Sequence, residues 1–109
     1  MAFDPVLEAR VRALLSSDDD IEVKKMFGGV GFMLRSKMAC GIQENALIVR
    51  VGPEAYEAAL AEPHTREFDI TGRPMRGWIM VLPAGLEKES ELKRWVIKGI
   101  NFARTLPRK

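Results

Sequence analysis

The chain has 109 residues, 47% of them hydrophobic and 29% charged, with a formal net charge of +2, which suits one globular domain around a single core. No run of about 18 apolar residues occurs, so no membrane-spanning helix is expected, and Met1-Ala2-Phe3-Asp4-Pro5 lacks the basic and apolar regions of a secretory signal. Cys40 is the only cysteine, which excludes a disulfide within the chain and makes a reducing cytoplasm the expected setting.

The first helix opens at Asp4, whose carboxylate can accept from orphan amides, with Pro5 at the first helical position. Leu7, Val11, Leu14 and Leu15 repeat at helical spacing, and Glu8 and Arg12 stand one turn apart beside them. Ser16-Ser17-Asp18-Asp19-Asp20 ends the element through short polar side chains and three like charges. The pattern then turns to strands: residues 22–27 closed by Gly28-Gly29, residues 31–35 and 38–42 around a two-residue connection at Ser36-Lys37, and residues 46–51 after Glu44-Asn45. A short helix is expected from Gly52-Pro53-Glu54 to Leu60, with Tyr56, Ala59 and Leu60 inward, Glu54 and Glu57 at its positive end, and a stop at Glu62-Pro63. Residues 66–70 and 77–82 read as two strands joined by Thr71-Gly72-Arg73-Pro74-Met75-Arg76, and Pro83-Ala84-Gly85 breaks the sheet. The last helix runs from about Ser90 to Arg104 and is closed by Pro107, its inward stripe being Leu92, Trp95, Val96, Gly99, Phe102, Ala103 and Leu106. Strands bunched in runs point to a single α+β domain over residues 1–109, a two-layer sandwich with helices on one face of a largely antiparallel sheet.

Three spaced blocks carry a resemblance. Lys24-Lys25-Met26-Phe27-Gly28-Gly29-Val30-Gly31-Phe32-Met33, Leu47-Ile48-Val49-Arg50-Val51-Gly52 and Thr71-Gly72-Arg73-Pro74-Met75-Arg76-Gly77 resemble the N-terminal domain of the TfoX/Sxy family. The best-known members of that family are bacterial regulators of competence for DNA uptake. The resemblance implies a secretion-chaperone-like fold in the order α-β-β-β-α-β-β-α. The competence regulators carry a second, C-terminal domain; this chain reads as a stand-alone copy of the first, and the family supplies no catalytic residues to carry over.

The residues themselves offer several candidate sites. Gly28-Gly29-Val30-Gly31 could cradle phosphate, but Phe32-Met33-Leu34 after it reads as strand and not helix, so a sharp turn or bulge needing positive φ is expected. Cys40 is expected to share its strand face with Met38 and Ile42 and to be a buried thiol; His64, the only histidine, has no partner at ligand spacing. Glu67 and Asp69 alternate with Phe68 and Ile70 and read as an exposed pair bridged to nearby arginines. Trp78, Trp95 and Phe102 read as core. No catalytic, metal or cofactor site emerges. The candidate binding residues are Arg50, Arg66, Arg73 and Arg76: arginine offers a planar fork for carboxylate or phosphate, and a loop on a rigid sheet can present it.

The expected function is a small, cytoplasmic, non-enzymatic regulatory or protein-interaction domain, with a protein partner or its own copy as ligand and no membrane. The alternatives are a nucleic-acid-binding regulator and a small anion-binding protein or enzyme built on the arginine loop. Residues 1–21 are acidic on balance and the remainder basic, which favours an anionic partner or is simply solvated surface. No helix-turn-helix, zinc finger or stacked-aromatic signature accompanies the nucleic-acid reading.

Overall fold

The computed structural model describes residues 4–16, 20–26, 29–69, 72 and 75–106. Helix α1 covers Pro5–Leu15, capped as expected: the Asp4 carboxylate accepts from the Val6 and Leu7 amides. The Asp4 amide donates to the Glu44 carbonyl at 2.6 Å, fixing the start of α1 against a strand turn. Then come β1 (Ile21–Met26), β2 (Gly29–Leu34), β3 (Lys37–Gln43) and β4 (Ala46–Arg50). A short α2 (Tyr56–Leu60) precedes β5 (Thr65–Glu67) and β6 (Trp78–Val81), and a 3₁₀ turn at Pro83–Gly85 leads into α3 (Glu89–Arg104). Phe27, Gly28, Ile70, Arg73, Pro74 and Pro107, on which several expectations fell, lie outside the described residues.

The six strands form one sheet in the order β1-β2-β3-β4-β6-β5, every pairing antiparallel. The fold is α+β, as the strand runs predicted. It has four strands before α2 where the resemblance implied three. Ile21–Met26 pairs residue for residue with Gly29–Leu34, so it is a full strand of the sheet, as its own apolar alternation had suggested.

The chain turns one residue earlier between β2 and β3 than expected. Leu34 faces Lys37 and the connection is Arg35-Ser36, with φ of 51° and 74°. Two left-handed residues match the twist of a hairpin even without glycine. The inward alternation Val30, Phe32, Leu34 requires the strand to run through Leu34 before turning. Gly29 and Gly31 are strand residues, and neither is among the positive-φ glycines. The expectation of a left-handed turn is therefore overturned there; a side chain at Gly29 would instead overlap the Ile42 carbonyl. A bulge lies between Phe32 and Met33, opposite Ala39, and it puts Met38 on the face of Met33, not on that of Cys40 and Ile42 as expected.

Two further boundaries differ, and so does the inward stripe of the last helix. Residues 53–55 form a turn and not the first turn of α2, although Tyr56 and Ala59 are buried as predicted. Strand β5 stops at Glu67, where the Phe68 carbonyl accepts from the Met75 amide at 3.1 Å and the chain leaves the ladder. In α3, Ile100 is buried, whereas Phe102 and Leu106 are only half-buried.

Alternation divides the sheet into two faces. On the first, Val30, Phe32 and Leu34 meet Cys40, Ile42, Leu47, Val49, Ile79 and Val81. The buried residues of all three helices join that same cluster, among them Val11, Tyr56, Leu92, Trp95 and Val96. Helix α3 lies close because Gly99 sits against the Ala39 carbonyl, where any Cβ would overlap it. Arg10 ties α1 to the start of α3, donating to the Leu86 carbonyl at 2.8 Å.

Candidate functional site

The second face of the sheet is apolar too, and the helices do not contribute buried residues to it. The pairing puts Lys24, Gly31, Gly41, Ile48, Met80 and Arg66 in one continuous row across all six strands. A neighbouring row contains Met33 and Met38, and Arg50 pairs with Trp78 toward its other end. Ile48, Ala46 and Phe68 are buried but stand outside the main core cluster. Met33, Met38, Met80 and Trp78 are half-buried. Met38 fills the space above Gly41, where any added side chain would overlap its methyl group. The result is a shallow apolar floor of glycine backbone under adaptable thioether side chains.

Arg50 stands at one end of this floor. Its guanidinium carbon lies 5.0 Å from the centre of the Trp78 ring and 5.6 Å from that of Phe102. Trp78 in turn leans on Phe68, with ring centres 6.1 Å apart. Phe102 reaches this place because Gly52, with φ of 90°, has no side chain; a Cβ there would overlap the ring. That is why Phe102 leaves the α3 core stripe. Partial burial lowers the affinity of Arg50 for its proton, yet an arginine stays charged at any physiological pH. Among the described residues, no carboxylate pairs with it.

The other predicted arginines do not converge on one site. Arg66 is exposed and lies 3.6 Å from Asp69. Arg76 is exposed and packs over the Tyr56 ring at 5.5 Å. Arg73 lies outside the described residues. Glu67 and Asp69 do not share a strand face, since β5 ends between them. Glu67 accepts from the Tyr56 hydroxyl at 3.4 Å; burial first, then the Glu67 charge and hydrogen bond, raise the phenol above its ordinary range.

Two other places could bear chemistry. Cys40 is fully buried in the core, and burial pushes its thiol up to about 12, the state of an inert structural cysteine. A cleft of about 220 Å³ opens beside Glu62, His64, Glu91 and Arg94. There Arg94 is already engaged, bonded to Glu62 and to Glu91 at 2.7 Å each and lying 4.6 Å from the centre of the Trp95 ring. The hydrogen bond from Arg94 holds the Glu91 carboxyl below its ordinary value. His64 is exposed, with φ of 64°. Among the described residues no group of three His, Cys, Asp or Glu side chains is placed to hold a metal ion, and no helix is long and apolar enough to cross a membrane.

The architecture is thus α+β, with one sheet face under helices and, among the described residues, a half-buried, methionine-lined floor on the other that ends on Arg50 against two rings. The family model of the TfoX N-terminal domain matches residues 13–103, which is most of the chain, and the protein belongs to that family. No curated protein and no solved structure matches it.

Sequence patterns single out Arg50 and Trp78 separately but do not join them, and they place Trp78 and Phe102 in the core. The available signal was the alternation Ile48, Arg50 against Met80, Trp78, which marks a second apolar face on two neighbouring strands.

Proposed function

We propose that this domain is a non-enzymatic regulatory module that works by binding a protein through the open face of its sheet. The observation that carries this reading is the floor of half-buried Met33, Met38, Met80 and Trp78 around the buried Ile48, apolar and separate from the core. An apolar patch maintained on a surface marks an interaction site. Methionine suits it, because an unbranched thioether repacks around different partners. Membership of the TfoX N-terminal family supports the regulatory part of the reading.

A photo-crosslinking residue placed at position 80 tests it, with position 97 as control, since Ile97 is exposed on the outer side of α3. Position 80 is expected to capture a protein, either another species or a second copy, and position 97 to capture none. Equal capture from both positions, or none from position 80, would overturn the assignment of the face. The small-anion alternative rests on Arg50 and the arginine loop, where Arg66 and Arg76 already have partners within the chain, and the nucleic-acid alternative rests on the basic balance after Ile21 and the family resemblance.

A further inference from the structure

We infer that the segment received by this face is amphipathic and acidic: apolar side chains lie across the methionine floor and a carboxylate takes the fork of Arg50. The inference rests on the interaction reading above and names the chemistry of the partner.

Arg50 is the fixed point of the face. A guanidinium has two faces and an edge, and its five N–H donors lie in the plane. Trp78 and Phe102 lie within 6 Å of the guanidinium carbon and hold it by cation–π attraction. Among the described residues the Arg50 donors make no hydrogen bond and no ion pair, so they are available to a ligand. The remaining arginines with described geometry near the face differ in kind, Arg66 being tied to Asp69 and Arg76 lying on Tyr56. Among the described residues Arg50 has no carboxylate and is held by two rings, whereas Arg76, also without a carboxylate, is exposed and rests on the single ring of Tyr56. A cation already held in place spends little conformational entropy on meeting an anion, and a planar fork matches a carboxylate in two parallel hydrogen bonds.

Elsewhere on the face the described charges balance, Arg66 against Asp69 and Lys24 against Glu22, which leaves Arg50 as the excess cation. Lys24 stands at the β1 end of the long row and Arg66 at the β5 end, with Glu22, beside Met33, the one acid on the paired strands of this face among the described residues. The floor between them is apolar. An excess cation at the end of an apolar floor complements a segment with acids beside an apolar stripe, and repels one flanked by lysines. A second copy would bring Arg50 against a surface of the same sign, which disfavours self-stacking of these faces.

The test uses the whole chain and two designed helical peptides. Both carry the same leucine stripe; one has glutamates on its flanks and the other lysines. Methionine methyl and Trp78 indole resonances report binding, measured also with Arg50→Lys, which keeps the charge and loses the fork, and with short duplex DNA. The glutamate peptide is expected to shift Met33, Met38, Met80 and Trp78, to bind at least about tenfold more tightly than the lysine peptide, and to lose about tenfold in Arg50→Lys. Equal binding of both peptides on the face would overturn the acidic chemistry and leave the interaction reading intact. So would indifference to Arg50→Lys. No peptide binding together with a dimer broken by Met80→Glu would make the occupant a second copy, overturning this inference alone. Shifts of the same residues by DNA but by neither peptide, or a monomer that binds nothing, would overturn both.

Discussion

The two faces of this sheet come from the same strands and use different chemistry. The helix-covered face is built from Val30, Phe32, Leu34, Leu47, Val49, Ile79 and Val81, shapes with few rotamers that interlock under α3. The other face alternates with it and carries glycines, methionines, Ile48 and Trp78. Stiff, branched side chains specify one packing, whereas flexible ones leave a surface that can adapt. Consecutive residues such as Ile79 and Met80 therefore serve two purposes, one holding the fold and the next presenting a surface.

Substitutions on the two faces should separate sharply in stability. Phe32→Ala is expected to cost about 3–5 kcal/mol, a large part of the roughly 5–15 kcal/mol typical of a domain. Urea unfolding would show it, and a loss under about 1 kcal/mol would mean the core face is not the one that holds the fold. Alkali should act on the same face. The Cys40 thiol is raised from 9.0 to about 12 in the folded chain, so above 9.0 the unfolded chain releases a proton that the folded one keeps. Stability is therefore full below 9.0 and falls by about 1.4 kcal/mol per pH unit between there and about 12. Unfolding at about pH 8 and about pH 10 should show that loss, and Cys40→Ala should remove most of it.

On the open face the effects should be smaller. Met80→Ala, at a half-buried position, is expected to cost about 1 kcal/mol and to leave the fold intact, as circular dichroism and thermal unfolding would report. A loss as large as that of Phe32→Ala would show the two faces to be one core. Arg50→Gln should cost least, about 0.5–1 kcal/mol for the lost attraction to the rings. On the proposed function its main effect is on binding. A change in stability with no change in partner capture would reduce Arg50 to a packing residue.

Much of the fold was legible from local signals. Asp4 with Pro5 marked the start of α1, and the helical stripe of Leu92, Trp95, Val96, Gly99 and Ala103 marked α3. The residue pattern marked all four strands before α2, whereas the resemblance implied three. The turn at Arg35-Ser36 was displaced because neither residue belongs to the usual left-handed set. The site was harder to read. Arg66, Arg73 and Arg76 drew attention by being near one another in sequence. Arg50 was a candidate beside them, but its partners were not legible: the fold puts it against Trp78 and Phe102, both of which read as core. Whether a strand's second face is covered depends on where every helix packs, a long-range property that no local pattern carries.

The sheet order has a consequence for how the molecule assembles. Strands β1 to β4 follow one another in space as in sequence, joined by short turns, whereas β6 reaches β4 only after α2 and β5 have been made. Local pairings close early and distant ones late. The β4–β6 seam, between Ile48 and Met80 and between Arg50 and Trp78, should then form last and open first. In native-state hydrogen exchange the β5 and β6 amides should exchange at lower free energy than those at the centre of the meander. The stacked arginine would sit on the hinge line of that opening, where a bound segment spanning β4 and β6 would clamp the two halves together.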